Sequence, residues 1–211
     1  MLTLALLSCK VKNEPTTPPQ PTNPPKPTSD IEVIDTIPIE LDYSDSLITP
    51  GMPMVARWPL QYEIFDSHFV IFIDSLSPRV AELTLLSLKD WSKIYSSLSE
   101  EHPTQATDTA ARYIEFGLVG WSIPSETLAR RMKSDIDPEA INAKLAAVYA
   151  DEFHIKDGSS NARYLCEEAT KTFSLAESTK ITTAGAKTKY HLRLVKTQRV
   201  ARQCSEISSH F

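Results

Sequence analysis

The stretch Lys187-Thr188-Lys189-Tyr190-His191-Leu192-Arg193-Leu194-Val195-Lys196-Thr197-Gln198-Arg199-Val200 decides how the chain is read. Tyr190, Leu192 and Leu194 alternate with Lys187, Lys189, His191 and Arg193. That is the period-two pattern of a strand with one apolar face and one face turned to water. Just upstream, Thr183-Ala184-Gly185-Ala186 reads as a turn and residues 171–182 as a second extended arm, so a C-terminal β-hairpin is expected. A wet basic face would offer Lys187, Lys189, His191 and Arg193 to an anionic ligand such as a lipid headgroup, a polysaccharide or an acidic partner. The competing reading is a solvated face whose lysines discourage edge-to-edge pairing. Charge is uneven in the same place: residues 180–211 hold seven of the 22 Lys and Arg against Glu206 alone, in a chain of formal net charge -5.

Working outward, Phe69-Val70-Ile71-Phe72-Ile73 is an apolar run of the kind found in a buried strand. Ser77-Pro78 then reads as a helix start, because serine caps and proline suits the first turn. Val80, Leu83, Leu86, Trp91, Ile94, Tyr95 and Leu98 follow at helical spacing, which predicts a helix to about Glu101. Residues 106–112 fit a short helix, 113–123 a strand and 125–132 another helix. Asp137-Pro138-Glu139 opens a further helix with Ile141, Leu145, Val148 and Tyr149 on one face. Residues 161–170 read as a last short helix. Residues 31–41 alternate as a half-buried strand, with Pro38 placing it at an edge. The fold class expected is α+β: a mostly antiparallel sheet with three to five packed helices and a C-terminal β-hairpin, in a single domain over residues 31–211. A doubly wound parallel sheet is disfavoured, since the chain has only 5 glycines and no glycine-rich turn joining strand to helix.

The N-terminus carries an address. Leu6-Leu7-Ser8-Cys9 ends an apolar run, and the chain turns polar at Lys10. This resembles the lipobox of bacterial lipoproteins, in which the peptide is cut before the cysteine and the cysteine is then acylated. The resemblance implies a signal peptide at residues 1–8, a lipid anchor at Cys9 and attachment to a membrane. No Lys or Arg precedes the apolar run, so a start further upstream is expected. Prolines at 15, 18, 19, 21, 24, 25 and 27 make residues 9–30 an anchor plus a semi-rigid polyproline II stalk of up to about 60 Å. A short signal ending in Ser-Cys, followed by a Pro/Thr-rich spacer, resembles the lipoproteins of Gram-negative Bacteroidota. That implies the bacterial outer membrane, facing either the periplasm or the surface. The competing reading is an apolar N-terminal strand with an ordinary buried cysteine.

Signatures of chemistry are sparse. There is no G-x-S-x-G elbow, P-loop, H-E-x-x-H or C-x-x-C, and none of the five histidines has another at local ligand spacing. No cofactor, metal or nucleic-acid partner is expected. Asp151-Glu152-Phe153-His154 puts two carboxylates beside an imidazole, which fits metal binding or acid–base work as well as a solvated helix end. Cys166 and Cys204 would form a disulfide in an oxidising compartment or remain free thiols. As a nucleophile Cys166 is poorly placed, because Glu167 and Glu168 raise its pKa. The loop 49–59, stiffened by Pro50, Pro53 and Pro59, offers Met52, Met54, Val55, Arg57 and Trp58 to a partner's pockets, as the reactive loops of peptidase inhibitors do. Three functions stay open: a non-enzymatic envelope binding module, an inhibitor of a secreted peptidase, and an envelope enzyme without a short motif.

Overall fold

The computed structural model describes residues 46–157, 160–176 and 180–203. The lipobox, the stalk, the 31–41 strand and Cys204 lie outside them. The described elements run β1 (Met54–Val55), β2 (Ile64–Phe65), β3 (His68–Ser75), β4 (Val80–Tyr95), α1 (Gln105–Arg112), α2 (Glu126–Asp135), α3 (Pro138–Ala147), β5 (Lys156–Asp157), β6 (Ser160–Asn161), β7 (Tyr164–Cys166), β8 (Lys171–Phe173), β9 (Thr182–Thr183) and β10 (Lys189–Arg202). One mostly antiparallel sheet holds eight strands in the order β2-β3-β4-β10-β7-β8-β9, with β1 on the far end of β10. A separate pair, β5-β6, stands apart.

The largest correction concerns residues 80–101. Val80–Tyr95 form a 16-residue strand, β4, and no part of 80–101 is helical. The Ser77-Pro78 signal belongs to the β3–β4 turn, where Ser77 Oγ accepts from the Val80 N–H at 3.0 Å. Helical spacing arose for two reasons. Both faces of β4 are covered, so residues 83–87 are buried without alternation. Beyond Leu86 the strand also carries extra residues that break its period. The predicted helix over 161–170 is likewise replaced by β7. The predicted strand over 113–123 is instead a tight turn at Phe116-Gly117, both with positive φ, and a bridge from Ser122 to Val195.

Three described helices match expectation. Ser125 caps α2, accepting from the Leu128 N–H at 3.2 Å. Asp137 caps α3, accepting from the N–H groups of Glu139 and Ala140. Ile141 and Leu145 bury one face of α3, but Tyr149 falls past the helix end and is 99% exposed. Packing is two-sided. Ala129 and Met132 of α2 join Ile141 and Leu145 against Phe69, Ile71, Leu86 and Val195 on one face of the sheet. Ala106 and Ala110 of α1, with Trp121, cover Leu83, Leu85, Leu192 and Leu194 on the other.

β10 is central because both its edges are used. β4 pairs antiparallel along one edge. The other edge meets β7 at His191, Ser122 at Val195 and β1 at Ala201. The hairpin expected at this end is rearranged accordingly. Its second arm is indeed a strand, but the partner of that strand is β4, and the local reversal pairs β8 with β9.

Candidate metal centre

The ladder between β4 and β10 changes register twice. From Ala201↔Val80 to Val195↔Leu86 it runs without a break. Between Val195/Leu86 and Arg193/Asp90, β4 gains two residues, and between Leu192/Trp91 and Tyr190/Ile94 it gains one more. Bulges free backbone groups and re-aim side chains. Here side chains take up the freed groups. The Leu88 N–H donates to Glu115 Oε2 at 2.8 Å, the Asp90 N–H to Asp151 Oδ2 at 2.8 Å and the Leu194 N–H to Ser87 Oγ at 3.1 Å. Arg193 donates from Nε to the Ser87 carbonyl at 2.8 Å and from Nη1 to the Asp151 carbonyl at 2.6 Å.

The basic face predicted for β10 is therefore half wrong. The alternation holds, and Lys187 and Lys189 are exposed. Arg193, however, is 1% exposed, and His191 is buried as well. Strand β7 and the loop 149–155 cover that side. Burial lowers the pKa of Arg193, while Asp90, Tyr164, Asp151 and Glu115 act against that shift. Its guanidinium also lies over the Phe153 ring, 4.9 Å from the centroid.

The bulge turns Asp90 towards His191. The Asp90 side chain is only 3% exposed and that of His191 10%, with Nδ1 of the ring 3.4 Å from Asp90 Oδ1. Tyr164, on the neighbouring β7, donates from Oη to Asp90 Oδ2 at 2.6 Å. Burial, and next the Asp90 carboxylate, push the Tyr164 pKa far above the usual phenol range, so the hydroxyl remains a donor. Its oxygen accepts from the His154 N–H at 2.8 Å.

His154 reaches the cluster on the loop after α3. Asn142 clamps that loop, its side chain exchanging two hydrogen bonds with the Phe153 backbone at 2.7 and 2.8 Å. Phe153 is buried against Tyr164, ring to ring at 5.2 Å. The His154 backbone is thus fixed while its side chain stays exposed, with its ring 4.6 Å from that of His191. Ligand atoms of Asp90, His154 and His191 all lie within 4.8 Å of one another. Beside them opens a depression of about 580 Å³ lined by Asn142, Asp151, Glu152, Phe153 and His154. Two imidazoles and a carboxylate are the donor set of transition-metal sites. A His–Asp pair can equally accept and relay a proton.

Sequence reading singled out His154 and His191 separately and never joined them. Asp90 and Tyr164 were missed altogether, because Asp90 sat inside a predicted helix and Tyr164 inside another. Asp151, one of the two carboxylates beside His154 in sequence, accepts from the Asp90 N–H through Oδ2.

The other predicted sites are scattered. Met54 and Val55 form β1 on the edge of β10, and the Arg57 guanidinium pairs with Glu63. Met52, Met54 and Trp58 are half-buried and Val55 is buried, so the 49–59 loop lies stitched to the sheet. Cys166 is a free thiol in the core, pushed up to about 12 first by burial and then by Glu126 and Glu167.

No protein family, curated protein or solved structure matches the chain.

Proposed function

We propose that this protein is a lipid-anchored binding module of a bacterial envelope, and that its binding face is the Asp90–His154–His191 cluster. One observation carries the second half: two imidazoles and a buried carboxylate converge, with His154 also lining a surface depression, in a network that uses Tyr164, Asn142 and Arg193 for positioning. The first half is supported by Cys9 and the proline-rich stalk alone. No helix among the described residues is long and apolar enough to cross a membrane.

Two experiments test the two halves. Cells expressing the natural reading frame are fed a palmitate analogue; wild type takes up label and Cys9→Ala does not. An unlabelled wild type would remove the anchor. In the native host, a deletion strain complemented with the His154→Ala, His191→Ala double variant is outcompeted by one carrying wild type. Equal fitness, where wild type itself rescues, places the binding face elsewhere.

A second reading, an envelope enzyme, draws on the same cluster, because three protein donors leave a coordination position for water or substrate. The inhibitor reading has less support, since Val55 and Arg57 are already engaged within the domain. A purified domain that blocks a member of a secreted-protease panel would restore it.

A further inference from the structure

We infer that Asp90 Oδ1, a ring nitrogen of His154 and Nδ1 of His191 bind a single divalent transition-metal ion of the zinc class. The inference rests on the binding-face reading above and names the ligand for it.

Four observations converge. The first is geometry. Zinc bonds of about 2.0–2.2 Å in a tetrahedral site place neighbouring donors roughly 3.3–3.5 Å apart. Asp90 Oδ1 and His191 Nδ1 already stand at 3.4 Å. The third donor lies within 4.8 Å and belongs to an exposed ring, so closing the set needs only a movement of the His154 side chain.

The second is support around the ligands. Ligating carboxylates are usually held by a further hydrogen bond, which fixes their orientation. Tyr164 supplies it to the other oxygen of Asp90, and the same tyrosine oxygen tethers the His154 backbone. One side chain thus orients two of the three ligands. Asp90 Oδ1 is left facing the cluster with a long contact to His191 as its described partner.

The third is charge. Asp90, Asp151 and Glu115 act on Arg193, the one buried Arg or Lys among the described residues. A divalent ion would add positive charge directly beside the Asp90 carboxylate, whose side chain is only 3% exposed.

The fourth is selectivity. Calcium and magnesium take all-oxygen shells, and copper(I) favours thiolate and thioether donors. Two imidazoles with one carboxylate suit zinc, iron(II), copper(II), nickel and cobalt(II). Three protein donors would leave a fourth position for water or a small ligand, and His154 lines a depression beside the cluster.

The test is titration of the full chain, freed of metal by a chelator, with zinc by calorimetry and with cobalt(II) by absorption spectroscopy. Zinc binds with a stoichiometry of one, and cobalt gives the intense visible bands of a four- or five-coordinate site. His154→Ala removes an exposed ring whose described ring contact is with His191; it weakens zinc binding by about 100-fold or more and leaves the metal-free protein cooperatively folded. Tyr164→Phe, which keeps all three ligands, weakens it by about 10-fold. Absence of binding by both metals overturns the inference, as does a His154→Ala variant that binds zinc as wild type does. A chain that binds no metal but labels at Cys9 and still needs His154 and His191 for fitness would sink this inference and leave the binding module standing.

Discussion

The two halves of the β4–β10 ladder are built to different ends. Over residues 80–86 and 195–201 seven consecutive pairs keep one register, and the buried side chains there are mainly aliphatic. Over residues 87–95 and 189–194 the register slips twice, and the interior holds Ser87, His191 and Arg193. The same two strands thus supply a regular, apolar half that stabilises and an irregular, polar half that positions. The contrast shows where strand regularity has been given up, and the candidate site sits at that place.

Substitutions can break or sharpen this contrast. The largest loss should follow Arg193→Ala. It strands the carbonyls of Ser87 and Asp151 and leaves buried carboxylates without their cation, costing about 4 kcal/mol in denaturant unfolding. If Arg193→Met, which refills the volume, matches wild type, the polar half does not depend on that charge. In the regular half, Leu85→Ala should cost about 3 kcal/mol through cavity formation and leave metal binding intact once the protein is folded. A Leu85→Ala protein that folds and yet loses the metal would erase the distinction between the halves. Asn142→Ala removes two hydrogen bonds and should cost about 2 kcal/mol, with faster amide exchange confined to the loop 149–155. The smallest effect lies outside both halves. Glu63, held down to about 2 chiefly by its hydrogen bond to Arg57, adds stability that is present above the ordinary Glu pKa of 4.5 and fades as pH falls towards 2. Glu63→Gln should flatten that acid-side slope by lowering the neutral-pH melting point slightly while leaving the melting point near pH 2 unmoved.

Cys166 gives a chemical check on the core. With its pKa raised to about 12, the thiol should stay unmodified by a thiol reagent at pH 8 until the protein unfolds. The sign on stability is opposite to that of Glu63. Between the ordinary thiol value of 9.0 and about 12 the unfolded chain loses this proton first, so stability falls as pH rises through that window.

Local signals survived wherever one element decided its own conformation. The helix starts at Ser125 and Asp137, the apolar run at 69–73 and the alternation of 190–194 were all legible. What failed was each inference that needed to know the neighbours. Leu83, Leu85 and Leu86 look helical in a strand covered on both sides. Arg193 looks wet because nothing in its own stretch announces the loop 149–155 that covers it. Asp90, His154 and His191 are separated by 64 and 37 positions, so no window of sequence shows them as a set. Only the bulge in β4 brings Asp90 to the others, and a bulge leaves no mark that composition or spacing reveals.

The position of β10 has a consequence for how the molecule comes into being. The strand that joins β4 to β7 and β1 is the last of the ten in sequence, and its partners at Val80 and Met54 lie more than a hundred residues upstream. Closing such distant pairs delays folding, since the loop entropy is spent before the contacts form. Until residues 189–202 emerge from the ribosome, β4 lacks its longest partner and β7 and β1 have no β10 edge to join. For a protein proposed to leave the cytoplasm, that order of synthesis acts as a timer: it keeps the sheet incomplete, and the polypeptide threadable, until β10 has been made.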